Sequence, residues 1–116
     1  MKNTKYKLET AENKFSDRNY NVNISFPEFT CLCPRTGLPD FATIIIDYSP
    51  EKLLIELKSL KLYFLNYRNQ GVFHEHIANM ILDDFKNACT PKKVSVRAVF
   101  GTRGGIDTTV VSSWPN

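Results

Sequence analysis

The segment from residue 29 to residue 41 constrains the fold more than any other part of this chain. Its turn-forming residues are Pro34, Gly37 and Pro39. Proline and glycine at this spacing exclude a helix and favour a bend. Residues 22–26 before it alternate apolar with polar side chains, and residues 41–48 after it are β-branched and aromatic. Both patterns are typical of strands, so the sequence predicts two antiparallel strands whose connection carries Cys33 and Asp40 on its two sides.

Helical patterns follow these strands. After a short extended piece at residues 53–55, apolar residues recur with helical spacing from about residue 58 to residue 70, where Gly71 favours a stop. A second helix is predicted over residues 74–88, because its apolar residues form one stripe. Pro91 cannot continue that helix and ends it.

Two further strands complete the predicted fold. Residues 94–100 and 106–111 show strand alternation, and residues 101–105 between them are glycine-rich. The order ββααββ predicts an α+β fold in which one four-stranded antiparallel sheet carries two helices on one face. Unpaired sheet edges favour assembly of several copies. We assign residues 19–116 to this single domain, and residues 1–18, which show no regular period, to a mobile or partner-docked arm.

The composition is that of an ordinary globular chain. Its 116 residues suffice for one core, and the net charge of +3 is dispersed rather than gathered into a nucleic-acid-binding patch. The longest apolar run, residues 41–46, is too short to cross a bilayer. No signal-peptide pattern precedes the three cysteines. We therefore expect a cytoplasmic protein with reduced thiols that contacts neither membrane nor nucleic acid directly.

The bend combines a thiol and a carboxylate. Cys33 can act as a nucleophile, because a turn or helix terminus can lower the pKa of a thiol, and Asp40 can act as its proton donor. The structural alternatives are an inert, half-buried cysteine and an aspartate that stabilises a turn before a strand.

The start of the second predicted helix combines histidine with glutamate. Glu75 can accept two hydrogen bonds from a planar heterocycle, and His74 can shuttle a proton. The alternative is a capping glutamate between two exposed histidines. A zinc site made by Cys31, Cys33, His74 and His76 is a further alternative, although the spacings Cys-x-Cys and His-x-His are not those of common zinc motifs.

Two basic features could meet a phosphate. Lys58 and Lys61 are three residues apart, on one face of a helix, and Arg103 precedes two glycines at a hairpin tip where a ligand can approach the backbone closely. A solvated basic face and a tight β-turn are the structural alternatives.

Several segments together resemble one family, the 7-cyano-7-deazaguanine reductases, which are nitrile reductases of the queuosine pathway. The matching segments are residues 26–30, 32–34, 36–37, 39–43, 56–63, 73–75 and 103–105. They occur in the family's order and cover most of the chain. The most specific is residues 56–63, with the pattern Glu-x-Lys-x-x-Lys-Leu-Tyr. Its occurrence together with Cys33 and Asp40 is not expected by chance.

The resemblance implies both a fold and a reaction. The fold is the tunnelling fold, in which the sheets of several subunits join into a barrel and active sites lie between subunits. The reaction is the reduction of 7-cyano-7-deazaguanine to 7-aminomethyl-7-deazaguanine by NADPH. In it, the Cys33 thiolate attacks the nitrile carbon to form a covalent thioimide, and Asp40 protonates the nitrogen.

The same resemblance assigns the remaining site residues. Glu56 and Glu75 would hold the amino and ring N–H edge of the substrate, and His74 would contact it near the reacting centre. Ile55 and Leu57 would supply backbone contacts. The candidate cofactor residues are Lys58, Ser59, Lys61, Arg103 and Gly104. No metal is implied.

Two alternative functions remain open on the sequence. One is a related tunnelling-fold enzyme that acts on a pterin or purine, such as a zinc-dependent relative of GTP cyclohydrolase. The other is a non-catalytic binding module that keeps the fold. Cys31 departs from the family pattern, which suggests a small hydroxyl residue at that position, and creates a hazard of oxidation with Cys33.

Overall fold

A computed structural model describes residues 5–116 and confirms the predicted α+β architecture. Its elements are β1 (Thr10–Glu12), β2 (Val22–Leu32), β3 (Pro39–Ser49), β4 (Leu53–Ile55), α1 (Leu57–Leu65), α2 (His74–Cys89), β5 (Lys93–Arg103) and β6 (Ile106–Trp114). The four long strands form one antiparallel sheet in the order β2–β3–β5–β6. The core lies between this sheet and the two helices, and alternate residues of β3 and β5 point into it.

Strand β2 passes through Pro27, so the predicted strand end near this residue was wrong. Pairing with β3 is regular up to Phe26 and resumes at Phe29, with one extra residue of β2 in between. Proline has no N–H to donate and is tolerated at such a bulge. Because the strand continues to Leu32, it carries the chain directly into the turn that holds Cys33.

Helix α1 ends at Leu65, earlier than the sequence predicted. Residues 66–69 form tight turns instead, in which the Tyr67 N–H donates to the carbonyl of Phe64 (3.2 Å). Gly71 does not cap the helix. A Cβ at this position would lie 3.3 Å from the Cα of Pro34, so glycine here lets the chain pass close to the Cys33 turn.

Helix α2 follows the prediction closely, since it runs from His74 to Cys89 with Glu75 in its first turn. A glutamate there interacts favourably with the positive end of the helix dipole. Within residues 5–116, neither helix has the length and apolar character that a membrane crossing requires.

The described part of the predicted arm packs on the same chain. Strand β1 pairs with β4, and the side chain of Asn13, which is 4% exposed, accepts from the Tyr20 hydroxyl (2.6 Å) and donates to the carbonyl of Glu51 (2.7 Å). A three-residue strand is too short to leave a readable period, which is why the sequence did not reveal it. Residues 1–4 lie outside the described part, and the boundary between arm and domain stays a prediction.

A buried hydrogen-bond chain joins the two helical segments. The hydroxyls of Tyr63 and Tyr67 are 2.6 Å apart, and the Tyr63 hydroxyl donates to a carboxylate oxygen of Asp84 in α2 (2.5 Å). The single proton of Tyr63 is thereby used, so the Tyr67 hydroxyl donates to Tyr63. Burial raises the pKa of both tyrosines above the ordinary value, and both phenols stay protonated.

We expect Tyr63→Phe to lower the free energy of unfolding by about 1–3 kcal/mol, because the buried Tyr67 hydroxyl then lacks an acceptor. Tyr67→Phe is the matched control, since it removes a hydroxyl but leaves the bond from Tyr63 to Asp84, and should cost less. Urea unfolding at one fixed protein concentration measures both. Equal losses in the two variants would contradict this account.

The face of the sheet opposite the helices is open among the described residues. Phe41 and Val111 lie on it and are 62% and 57% exposed, and Val99 is 36% exposed. Exposed apolar side chains grouped on an uncovered sheet face are a feature of interaction surfaces.

Candidate active site

The turn between β2 and β3 holds Cys33 by backbone hydrogen bonds. The Cys33 N–H donates to the carbonyl of Leu38 (2.8 Å), and the Gly37 N–H donates to the carbonyl of Cys33 (2.8 Å). Gly37 adopts a φ of +74°, in the left-handed region that favours glycine. The predicted bend is therefore present, with Cys33 entering it and Asp40 leaving it.

The surroundings of Cys33 favour its thiolate. Hydrogen bonds from the Thr36 hydroxyl, and then from the backbone N–H groups of Thr36 and Arg35, lower the pKa of this partly exposed thiol below its ordinary value. The thiolate is the nucleophilic form of cysteine, so the lowered pKa increases the reactive fraction at neutral pH.

The other two cysteines have the opposite character. Cys31 and Cys89 are 0% and 1% exposed. Burial raises the pKa of each thiol to about 12, and at Cys31 the negative charge of Asp40 adds to this effect. The electrostatics thus favour Cys33 as the reactive thiol.

We expect Thr36→Val to raise the pKa of Cys33 toward its ordinary value, because valine keeps the shape of threonine but donates no hydrogen bond. Less thiolate would then be present at neutral pH, and alkylation of Cys33 by iodoacetamide should slow several-fold. Mass spectrometry of the labelled peptide across a pH series measures the pH midpoint of Cys33 alkylation. Thr43→Val, a similar change on the open sheet face, should leave this midpoint unchanged. An unchanged midpoint in Thr36→Val would contradict the role of the Thr36 hydroxyl.

Asp40 is a buried carboxylate with two partners. It is 4% exposed and lies opposite Cys31 in the β2–β3 pair. Its Oδ2 is 3.1 Å from Nε2 of His74, and its Oδ1 accepts a hydrogen bond from the guanidinium of Arg103. Ion pairs and hydrogen bonds of this kind make a buried carboxylate tolerable and fix its orientation.

The ring of His74 is fixed by stacking as well as by Asp40. It lies parallel to the ring of Phe100, with centroids 3.8 Å apart and 4° between the planes. His74 is the first residue of α2, and Glu75 follows it with an exposed side chain. Cys33, Asp40, His74 and Glu75 therefore occupy the same end of the sheet.

Ile55 and Glu56 lie at the opposite end. The Ile55 N–H donates to the hydroxyl of Tyr48 (3.1 Å), and Tyr48 is eight residues beyond Asp40 in β3. At the rise of a strand these two positions are roughly 26 Å apart. Within one chain, the predicted substrate residues thus form two separate groups, of which Leu57 belongs to the second.

The carboxylate of Glu56 caps α1. Its two oxygens accept the backbone N–H groups of Lys58 (2.9 Å) and Ser59 (2.7 Å), which lowers the pKa of Glu56 below its ordinary value. Each carboxylate oxygen keeps a further lone pair, so capping does not prevent it from accepting a bond from a ligand.

The predicted cofactor residues are also divided between the two ends. Lys58 and Lys61 are exposed on α1, whereas Ser59 is 4% exposed and its hydroxyl accepts from the N–H of Glu9 (2.9 Å). Gly104 lies at the β5–β6 hairpin tip with a φ of +58°, close in sequence to Arg103.

The sequence did not reveal three contacts at the site: the Thr36 hydroxyl on Cys33, the Phe100 ring on His74, and Arg103 on Asp40. Strand alternation places Phe100 in the core, but no sequence signal places it against a particular histidine. Among residues 5–116, no three His, Cys, Asp or Glu side chains are grouped as metal ligands.

The sequence of this chain is similar to a known protein family and to individual proteins of two organisms. A sequence profile described as "QueF-like protein" matches residues 39–115. The chain is 51% identical over 107 residues to a protein of Chlorobaculum tepidum, covering 92% of each chain, and 53% identical over 105 residues to one of Nitrosomonas eutropha, covering 90% of this chain and 76% of that one. Both relatives are named NADPH-dependent 7-cyano-7-deazaguanine reductase.

The fold recurs in a solved structure, the archaeosine synthase QueF-Like in the apo form. It superposes with a TM-score of 0.72 over 82% of this chain and 91% of that chain, at 21% sequence identity. Taken with the profile match and the close relatives, these similarities show that the chain belongs to the QueF-like protein family.

Proposed function

We propose that this protein uses NADPH to reduce the nitrile of 7-cyano-7-deazaguanine to the aminomethyl group, a step of queuosine biosynthesis for tRNA. The observation that carries the proposal is the placement of Cys33, with its lowered pKa, at the end of the sheet where Asp40 is hydrogen-bonded to His74. The names of the close relatives give the substrate and the reductant.

The first step is addition of Cys33 to the nitrile. The sulfur lone pair forms a C–S bond to the nitrile carbon, one π pair of the C≡N bond moves to nitrogen, and that nitrogen takes a proton from Asp40, next to His74. The product is a thioimide, which is more readily reduced than a nitrile because the carbon is already trigonal. The sulfur must leave again before the amine forms, and hydrogen bonds to the thiolate make it a good leaving group.

NADPH, when bound, supplies two successive hydrides, so that one nitrile consumes two molecules of NADPH and two protons. The exposed cations Lys58 and Lys61 suit the phosphates of a dinucleotide, because they lie on one face of α1. Ser59 and Gly104 are the other proposed cofactor residues, whereas Arg103, which the resemblance also assigned to the cofactor, contacts Asp40.

Two carboxylates and backbone groups would recognise the heterocycle. Glu75, exposed beside His74, and Glu56 at the other end of the sheet would accept the N–H groups of the deazaguanine edge, with backbone contacts from Ile55 and Leu57. Since roughly 26 Å of strand separates the two groups in one chain, we propose that neighbouring subunits contribute one group each.

The open sheet face supports the same assembly. Its exposed apolar residues, including Phe41 and Val111, would line the inside of a barrel formed by several sheets, with the helices outside. A free thiol of lowered pKa and a reaction driven by NADPH both suit the reducing cytosol, which is the location we propose.

Nitrile-dependent oxidation of NADPH tests the function. The purified protein should oxidise two molecules of NADPH for each 7-cyano-7-deazaguanine converted, with 7-aminomethyl-7-deazaguanine as the product by mass spectrometry. Guanine is the matched control, because it keeps the recognition edge but has no nitrile. Absence of nitrile-dependent oxidation would reject the proposal and favour a binding module of the same fold.

We expect Asp40→Asn to retain substrate binding but to slow formation of the thioimide by roughly 100-fold or more, because an amide cannot supply the proton. Asp47→Asn is the control on the same strand; Asp47 is exposed and bonded to Asn23 (2.7 Å). Stopped-flow absorbance without NADPH measures the rate. If Asp40→Asn forms the adduct at the unaltered rate, Asp40 has only a structural role.

A further inference from the structure

Arg103 owes its direction to a β-bulge. Phe100 pairs with Thr108 of β6, but the next pair is Arg103 with Ile106, so two residues of β5 oppose the single Asp107. In an uninterrupted strand, Arg103 would point to the face opposite Phe100, because the two residues are an odd number of positions apart. The extra residue turns Arg103 toward the face on which Asp40 is buried, and bulges commonly redirect side chains in this way.

The guanidinium of Arg103 is used on that face. One nitrogen, Nη1, donates to Oδ1 of Asp40 and to the carbonyl of Pro39 (2.7 Å). The arginine side chain is 41% exposed and the Asp40 side chain 5% exposed, so a partly exposed arginine pairs with a buried carboxylate. These contacts join residues 63 and 64 positions apart in the chain.

The two oxygens of Asp40 thereby receive different tasks. Oδ1 is held by Arg103, so the carboxylate cannot rotate without breaking a charge-assisted hydrogen bond. Oδ2 remains at 3.1 Å from Nε2 of His74, and it is the oxygen through which a proton can be exchanged with the histidine.

We propose that Arg103 is a positioning residue for proton transfer, which fixes the carboxylate of Asp40 so that Oδ2 serves His74 and the reacting nitrogen. This inference rests on the proposed nitrile reduction. It gives Arg103 a task in the step before NADPH is needed, in contrast to a task in holding the phosphates of the cofactor.

Adduct formation in the absence of NADPH separates these two tasks. With the intact protein and 7-cyano-7-deazaguanine, Arg103→Met should form the thioimide roughly 10- to 100-fold more slowly than the unaltered protein, because a misplaced catalytic group costs rate without abolishing binding. The KM for NADPH in steady state should change much less. Arg103→Lys keeps the charge and should recover part of the rate.

A double-mutant cycle shows whether Arg103 acts through Asp40. In the Asp40→Asn background, Arg103→Met should cause no further slowing, since the group it positions is already gone. Arg18→Met is the control for loss of a surface arginine; Arg18 lies 3.7 Å from Asp17 and is 62% exposed, and this variant should keep the unaltered rate.

Three outcomes would overturn the inference. A normal adduct rate in Arg103→Met with a raised KM for NADPH would make Arg103 a cofactor ligand. Additive slowing in the Asp40→Asn background would mean that Arg103 acts independently of Asp40. If Arg103→Met fails to fold, as thermal unfolding would reveal, a normal adduct rate in a folded Arg103→Gln would reject the proposal equally. Failure of the unaltered protein to form any adduct would instead reject the proposed function itself.

Discussion

The Cys33→Ala protein is expected to lose nitrile reduction by on the order of 10⁴-fold or more, because the covalent route begins at this sulfur. The unaltered protein, incubated with 7-cyano-7-deazaguanine and no NADPH, should gain one substrate mass on Cys33 and a near-ultraviolet absorbance. Cys33→Ala should show neither, while substrate still binds, since recognition is assigned to other residues. Intact-protein mass spectrometry and equilibrium binding measure the two effects separately.

Cys31→Ser is the matched control for this experiment. It lies two residues from Cys33, but its thiol is buried and has a pKa raised to about 12, so it is not the attacking group. Serine introduces the small hydroxyl that the family pattern suggests at this position. Cys31→Ser should therefore keep both the adduct and turnover. An adduct that persists in Cys33→Ala, or that disappears in Cys31→Ser, would move the nucleophile to Cys31.

The parts of the fold that the sequence predicted are those determined by local sequence patterns. The alternation of residues 94–100 and the stripe of α2 depend on neighbours within a few positions, and both elements are present. The features that the sequence did not reveal depend on partners far along the chain. Strand β1 exists because it pairs with β4, some forty positions away, and Pro27 is accepted only because β3 lies beside its bulge.

The candidate site also has parts that the sequence predicted and parts that it did not. Cys33, Asp40 and His74 were found from the turn, the helix start and the family pattern, and the structure brings them to one end of the sheet. The contact of Arg103 with Asp40 was not predictable, because it requires both the hairpin register and its bulge. Sequence reasoning thus named the groups to which the chemistry is proposed, and named Arg103 as well, but could not predict which of these side chains contact one another.

The division of the predicted substrate residues leads to the second large effect. Cys33 lies at one end of the sheet and Glu56 follows Ile55 at the other, where Ile55 contacts Tyr48. A closed homo-oligomer can bring these ends together when the same contact is repeated around its axis. If each site takes one end from each of two neighbours, a defect at Cys33 and a defect at Glu56 impair different halves of a site.

Mixed oligomers of Cys33→Ala and Glu56→Gln are therefore expected to regain activity that neither variant has alone. With random mixing at equal amounts, about a quarter of the sites would combine an intact Cys33 half with an intact Glu56 half, and activity should return to about a quarter of the unaltered level. Glutamine keeps one oxygen able to accept an N–H of α1, so the helix cap is largely retained. Co-expression with two different tags and tandem purification provides the mixed oligomers.

The control mixture pairs Cys33→Ala with Asp40→Asn, two changes at the same end of the sheet. Both defects then fall in the same half of each site, so a site whose half has intact Cys33 always carries Asp40→Asn. The activity of this mixture should not exceed that of pure Asp40→Asn multiplied by the fraction of Asp40→Asn subunits in the mixture. Recovery in the first mixture but not in the control requires a site shared between subunits, because no single chain in either mixture carries a complete set of residues. If neither mixture regains activity, the whole site lies within one chain, and Glu56 acts only as the cap of α1.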